Sequence, residues 1–185
     1  VAEKTPVALN WCVDEMERRF KLMSMLGVRK LSEFNEMVRR EAQAGRSIAD
    51  PLWTVDQGPH PQALEPLPCI VVVVEEFADL MAQSGRKKDK EGTPEGLIAK
   101  SRAAGIHLVL VTQTPRSEGV TGTIKANFPS RVAFTVQNRL DSTIVLDEKG
   151  AETLLGNGDM LYKFTGSSTA TRAHGAFPSN DDVRA

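Results

Sequence analysis

Apolar positions along this chain form two kinds of run. Leu9, Val13, Met16, Phe20 and Met23 recur at helical spacing and predict a helix over residues 5–26, capped by Thr5, with Pro6 at its first position and Gly27 closing it. A second helix is predicted after Ser32, read as its cap, ending near Gly45. Ile70–Val74 are instead an unbroken β-branched run, which predicts a strand buried on both faces, as in a parallel sheet covered by helices. Ile106–Val111 read as another strand of almost unbroken apolar residues, and a helix over 97–104, ending at Gly105, would make the pair a right-handed crossover unit. Further on come a short helix over 121–127 capped by Thr121, a strand over Arg131–Val136, and short helices near 141–147 and 150–155. MLYKF and TRAHGAF then flank TGSSTA as a hairpin. Between helices and strands, residues 46–68 carry five prolines (51, 59, 61, 66 and 68) and read as a long surface loop.

Composition narrows this picture without naming a function. A chain of 185 residues is long enough for one domain, or a large part of one, with a real core. The net charge of −1 supplies no global field for nucleic acid or membranes, so any DNA contact must be local. The two cysteines, Cys12 and Cys69, have no metal-site spacing and imply no disulfide framework, which fits a reducing compartment. No run reaches transmembrane length and the first residues do not form a signal peptide. The basic stretch within 82–96, RKKDKEGTPEG, reads as a solvated loop rather than a DNA contact.

Candidate chemistry sits where the strands end. The first buried run stops at two adjacent carboxylates, Glu75 and Glu76, and open parallel sheets bind ligands at the carboxyl ends of their strands. A buried strand followed by an acidic pair has the form of a Walker B element, in which one acid serves the Mg²⁺ shell and the next polarises the attacking water. A strand ending in a solvated acidic turn is the plain alternative. The second strand ends in Thr112 and Gln113, and an amide beside a catalytic acid can hold a lytic water or sense a γ-phosphate. Taken alone, such a Gln is an ordinary loop residue.

WCVDEMERRFKLMSMLGVRKLSEFN, IVVVVEEFADLM, KSRAAGIHLVLVTQTP, TGTIKANFPSRVAFTV, LDEKGAETLLGNGDMLY and HGAF together resemble the motor domain of the FtsK/SpoIIIE family of DNA translocases, nearly from end to end. The resemblance implies a RecA-like α/β fold, a mostly parallel sheet with helices on both faces, and a homohexameric ring that encircles double-stranded DNA and pumps it with ATP and Mg²⁺. It makes residues 1–185 one motor-domain fragment, with a helical segment over 1–45, a loop over 46–68 and a core with a pore-lining hairpin over 69–185. By position, Glu76 matches the catalytic carboxylate, and Glu75 stands where the family has Asp as the residue serving Mg²⁺ through water. The added methylene moves that carboxylate about one carbon–carbon bond further, a displacement that can be costly. Gln113 matches the family Gln, while Thr114 replaces the Arg that follows it. Arg131 matches an arginine that reaches into a neighbouring subunit's nucleotide site. In the pore hairpin, Lys163 and Arg172 flank Ser167, Ser168, Thr169 and Thr171, groups suited to phosphate contact without base readout. Arg139, Asp141 and Ser142 correspond to a second pore-facing segment, with Thr143 in place of a basic residue.

No G-x-x-x-x-G-K-[ST] phosphate loop occurs, and GNGD at 156–159 does not replace it. In the family that loop precedes the helix beginning here at Thr5. The expectation is therefore the C-terminal part of a cytoplasmic motor, itself making no membrane contact, from a protein that can be anchored in the inner membrane. Such a fragment should hydrolyse no ATP by itself. Chromosome segregation at cell division is the leading expectation. Its alternatives are a DNA-transfer ATPase of a plasmid or integrative element, a secretion-type ATPase that moves polypeptides, and a non-catalytic ring subunit.

Overall fold

The computed structural model describes residues 4–78, 100–176 and 178–184. The basic stretch within 82–96 and the first three residues of the helix expected over 97–104 lie outside the described residues; of the rest, Lys100 is helical and 101–104 form turns rather than a continued helix. The chain divides into two compact units, whose described parts are residues 4–74 with 100–110, and residues 75–78 with 111–176 and 178–184.

The first unit holds helices α1 (Lys4–Met25) and α2 (Leu31–Gln43) and strands β1 (Ile70–Val74) and β2 (Ile106–Leu110). The helical spacing of the apolar positions is borne out in burial. Cys12, Val13 and Met16 of α1 pack with Ala104 and Ile106 against Ile70, Val72 and Leu108. One further turn on, Leu22 and Met23 join Leu31, Phe34 and Val38 of α2 in a second cluster. Two capping expectations are corrected. The helix is already formed at Lys4, so Thr5 lies inside it, and Lys30 rather than Ser32 occupies the N-cap of α2. The Pro-rich segment contains one 3-10 turn, Val55–Gln57, and an isolated bridge between Ala49 and Ala63. It is more than surface loop, because Ile48, Leu52, Leu64 and Leu67 are pressed onto the α2 cluster.

β1 and β2 pair in parallel, Ile70 opposite Ile106 and Val74 opposite Leu110, as the crossover reading requires. Burial on both faces is corrected: Val71 and Val73 are 64% and 60% exposed, and only the alternate row meets α1. β-Branched residues favour extended backbone whether or not both faces are covered, so a run without alternation overstated the burial.

Arg19 ties this unit together. It projects from α1 between Met16 and Met23 on the buried face and is 1% exposed. Its Nη1 donates to the carbonyls of Pro68 and Ala104, both at 2.9 Å, and its Nε donates to Glu15 at 2.7 Å. Those carbonyls lie two residues before each strand, so one guanidinium holds both strand entrances to the helix. Burial alone would raise the Glu15 carboxyl, but hydrogen bonds from Arg18 and Arg19 bring it below its ordinary value.

The second unit holds α3 (Gly122–Asn127), β3 (Arg131–Ala133), α4 (Arg139–Leu146), β4 (Asp159–Lys163), β5 (Thr171–His174) and α5 (Asn180–Arg184). Thr121 caps α3 as expected, its hydroxyl accepting from the Ile124 N–H at 3.3 Å. β4 and β5 form the expected hairpin, and β3 pairs antiparallel with β4 in a three-stranded sheet of order β3-β4-β5. The helix expected near 150–155 is a 3-10 turn over Ala151–Thr153, and the C-terminal α5 was not foreseen. Ala133, Leu146, Ala151 and Leu154 form the core, with Leu161 and Val145 against it. Among the described residues the mixed α/β architecture is clear, but the antiparallel strands outnumber the parallel pair.

Removing the Arg19 hub leaves two strand-entrance carbonyls without a donor and Glu15 without its buried partner. Arg19→Met is expected to lower stability by about 3–5 kcal/mol in urea unfolding. Arg19→Lys should restore only a small part of that loss, because one ammonium cannot reproduce the forked geometry. Wild-type midpoints for both variants would contradict this role.

Candidate active site and hairpin

The residues following β1 and those following β2 are brought together within the second unit. Phe77 N–H donates to the Val111 carbonyl at 3.2 Å. Glu76, half-buried, has φ 50°, a left-handed conformation uncommon outside Gly, Asn and Asp. That backbone places its carboxylate against the 112–114 turn: Oε1 accepts from the Gln113 N–H at 2.9 Å, and Oε2 lies 3.5 Å from the Thr112 hydroxyl. Thr112 Oγ1 also accepts from the Thr114 N–H at 3.3 Å and donates to the Thr114 carbonyl at 3.2 Å, which stiffens the turn. Holding a non-glycine residue in this region costs about 1–3 kcal/mol, and such outliers concentrate at functional sites. Gly119 approaches the same segment, packing against Ala78 so closely that a Cβ there would meet the Ala78 side chain.

Glu75 is exposed, and its carboxylate makes no hydrogen bond among the described residues. Among those residues no three His, Cys, Asp or Glu side chains assemble a metal cage. An exposed carboxylate such as Glu75 at a strand end is of the kind Mg²⁺ takes, since that ion keeps most of its waters and uses one or two carboxylates together with substrate phosphates. The structure thus brings Glu76 and Gln113 into contact and leaves Glu75 and the Gln113 side chain open to solvent.

Arg131 is placed differently from a projecting finger. Its Nη1 donates to the Val145 carbonyl at 3.0 Å and to Asp147 at 2.7 Å, and its buried Nε has no partner among the described residues. Asp147 closes α4 in a left-handed conformation, φ 62°, where Lys125 also reaches it at 2.6 Å. The hydrogen bond from Lys125, with that from Arg131, outweighs burial and holds the Asp147 carboxyl below its ordinary value.

The basic residues of the hairpin are likewise engaged within the unit. Lys163 bonds the Leu146 carbonyl and Glu148, both at 3.2 Å. Arg172 forms a two-pronged pair with Asp159 at 2.9 and 2.6 Å. The turn between them presents exposed Ser167, Ser168 and Thr169, with the Ser167 hydroxyl donating to the Thr169 carbonyl at 2.6 Å. Arg139 is exposed, 3.5 Å from Glu152. The pore-facing expectation for Ser142 is corrected, because it is fully buried. Its hydroxyl donates to the Glu148 carbonyl at 2.8 Å and accepts from the Ala151 N–H at 3.1 Å. Sequence reasoning missed Asp147, Glu148 and Asp159 as the anions that engage these cations. Their positions just after a helix and at the start of a hairpin strand are the signal that was available.

The Arg172 hydrogen bonds, then the Leu155 N–H, depress the Asp159 carboxyl to about 2. Its unfolded value is about 3.9, so the pair stabilises the fold fully above that pH and loses its effect as pH falls through about 2. Arg172→Gln should therefore lower the thermal midpoint most above about pH 4, the difference from wild type shrinking toward pH 2. A difference that stays constant across this window would contradict the pairing.

The FtsK/SpoIIIE family model matches residues 2–117. "DNA translocase FtsK" of Vibrio parahaemolyticus is 56% identical over 180 residues, covering 96% of this chain and 17% of that protein. The pCW3 conjugation coupling protein TcpA, solved as a monomer with ATPγS, superposes with TM-score 0.73 at 25% identity, over 98% of this chain and 46% of that one. The cytoplasmic domain of the Thermomonospora curvata type VII secretion ATPase EccC shares the fold at TM-score 0.67 and 18% identity, over 96% of this chain and 18% of that one. The chain thus spans under a fifth of the length of the Vibrio relative, and on these grounds it belongs to the FtsK/SpoIIIE family.

Proposed function

We propose that this chain is the Walker B and sensor portion of an ATP-driven motor that translocates double-stranded DNA. The observation that carries the reading is the Glu76 carboxylate, turned by a left-handed backbone onto the Gln113 N–H in a chain of this family. In the proposed chemistry Glu76 takes a proton from the attacking water, and the Gln113 side chain orients that water or reads the γ-phosphate. Glu75 would serve the Mg²⁺ shell through water; the ion neutralises phosphate charge when bound. The hydrogen bond between Glu76 and Gln113 makes catalysis and phosphate sensing one mechanical element, since moving the 112–114 turn moves the acceptor of the proton. The family's hexameric ring with DNA in its central pore is part of the same proposal.

The hairpin reading is revised by its geometry. Lys163 and Arg172 act as braces, and the proposed backbone contacts to DNA fall to the hydroxyls and amides of the 167–169 turn, with exposed Arg139 at the start of α4. Arg131 would have to leave Asp147 to act across a subunit boundary, so it is proposed first as a structural cation. A second reading, DNA transfer in conjugation, is favoured by the TcpA likeness over nearly the whole chain. The far higher identity to the Vibrio translocase supports the first.

In the full-length protein, Glu76→Gln should cut ATP turnover by about 10²–10⁴-fold while ATP binding stays within a few-fold of wild type. Turnover close to wild type would remove Glu76 from the mechanism. Glu75→Asp, which shortens the side chain to the length the family uses, should preserve or raise turnover. A large loss would mean that the longer side chain is matched to its own site.

A further inference from the structure

The first unit carries an open cleft of about 900 Å³ between the start of α2 and the turn leading into β2. Lys30, Arg39, Lys100, Arg102 and His107 line it, Cys69 lies on its wall, and among the described residues no Asp or Glu does. We propose that this cleft is a phosphate-backbone site, a contact for duplex DNA separate from the hairpin. The proposal rests on the DNA-motor reading for the identity of its ligand.

The clustering of positive charge is unusual for a chain of net charge −1. Elsewhere in the same unit Arg18, Arg19, Arg40 and Arg46 each pair with a glutamate. Among the described residues, none of the four lysines and arginines of the cleft has an acidic partner within ion-pair distance. A bound polyanion would relieve their mutual repulsion. The helix adds to this field. α2 runs 13 residues and points its positive end at the cleft, yet its N-cap is Lys30, with no side-chain cap. The acidic residue of that first turn, Glu33, accepts from the Arg29 N–H at 3.0 Å and does not line the cleft.

The cleft walls are also fixed. The Leu31 N–H donates to the Ala103 carbonyl at 3.2 Å, tying the first turn of α2 to the turn opposite. Gly105, at φ 73°, sits against Leu31, where any Cβ would collide with the leucine side chain. A single phosphate would leave most of the cleft empty. Successive phosphates along a strand, one per about 3.4 Å of duplex axis, suit its volume and its several cations.

Two measurements on the full-length protein test this. The first is a salt titration of duplex binding by wild type and by an Arg39→Gln/Lys100→Gln/Arg102→Gln variant, all three residues being exposed. Every phosphate interaction that the variant abolishes should lower the slope of log K against log salt by about one. The second needs no variant: Cys69 is exposed while Cys12 is buried, so duplex should slow alkylation at Cys69 several-fold, read on its peptide by mass spectrometry. Wild-type protein that binds duplex with an unchanged slope in the variant and unprotected Cys69 would overturn the cleft while sparing the motor reading. Protection by tripolyphosphate or by a polyglutamate peptide, but not by duplex, would assign the cleft to a different anion and overturn it equally. Failure of the wild-type protein to bind duplex at all would instead sink the underlying DNA reading.

Discussion

One guanidinium sets the frame of the parallel strands. Arg19 reaches from α1 to the carbonyls that precede β1 and β2, so the two strands leave the helix from a common anchor and pair in register. An apolar side chain could fill that space but could not satisfy the two carbonyls, and the buried one, on Ala104, would cost about 1–3 kcal/mol if left unpaired. The arrangement is costly to desolvate, and Glu15, with both Arg18 and Arg19 bonded to it, offsets that cost locally. The function proposed for this chain depends on where those strands deliver the residues that follow them.

A similar constraint governs the second unit, where charge serves mainly to hold backbone in place. Asp147 in its left-handed conformation gathers Lys125 and Arg131, Glu148 takes Lys163, and Asp159 takes Arg172. Cations that a sequence reader assigns to a ligand are thereby committed to the hairpin and its supporting helix. Glu76 is the counterexample. Its backbone is strained and its carboxylate is bonded to a loop amide with no cation beside it among the described residues.

Much of this was legible beforehand. Helical periodicity located α1 and its core face, the two apolar runs located the parallel pair, and turn chemistry located the β4–β5 hairpin. Burial was less legible. Val71 and Val73 are β-branched because they lie in a strand, and their type carries no information on what covers them. Arg19 sits at a core position of the α1 pattern, yet charge alone argued for solvent; only the two carbonyls it meets explain its burial. Pairing between Arg172 and Asp159 follows from an antiparallel register that no local pattern encodes. The left-handed Glu76 had no sequence signal at all, since it is neither Gly nor Asn and no turn motif surrounds it.

Family membership and the Glu76–Gln113 contact are the grounds for the proposal that this chain is part of a motor whose hydrolysis is coupled to movement along DNA. Coupling, rather than hydrolysis or binding alone, is the central claim. It is tested most directly by giving the full-length protein ATP on a linear duplex that carries a bound third strand and following displacement of that strand. A coupled motor is predicted to displace the strand only with ATP, and later as the strand is placed farther from the loading site. ATP turnover stimulated by duplex with the third strand left in place would contradict it.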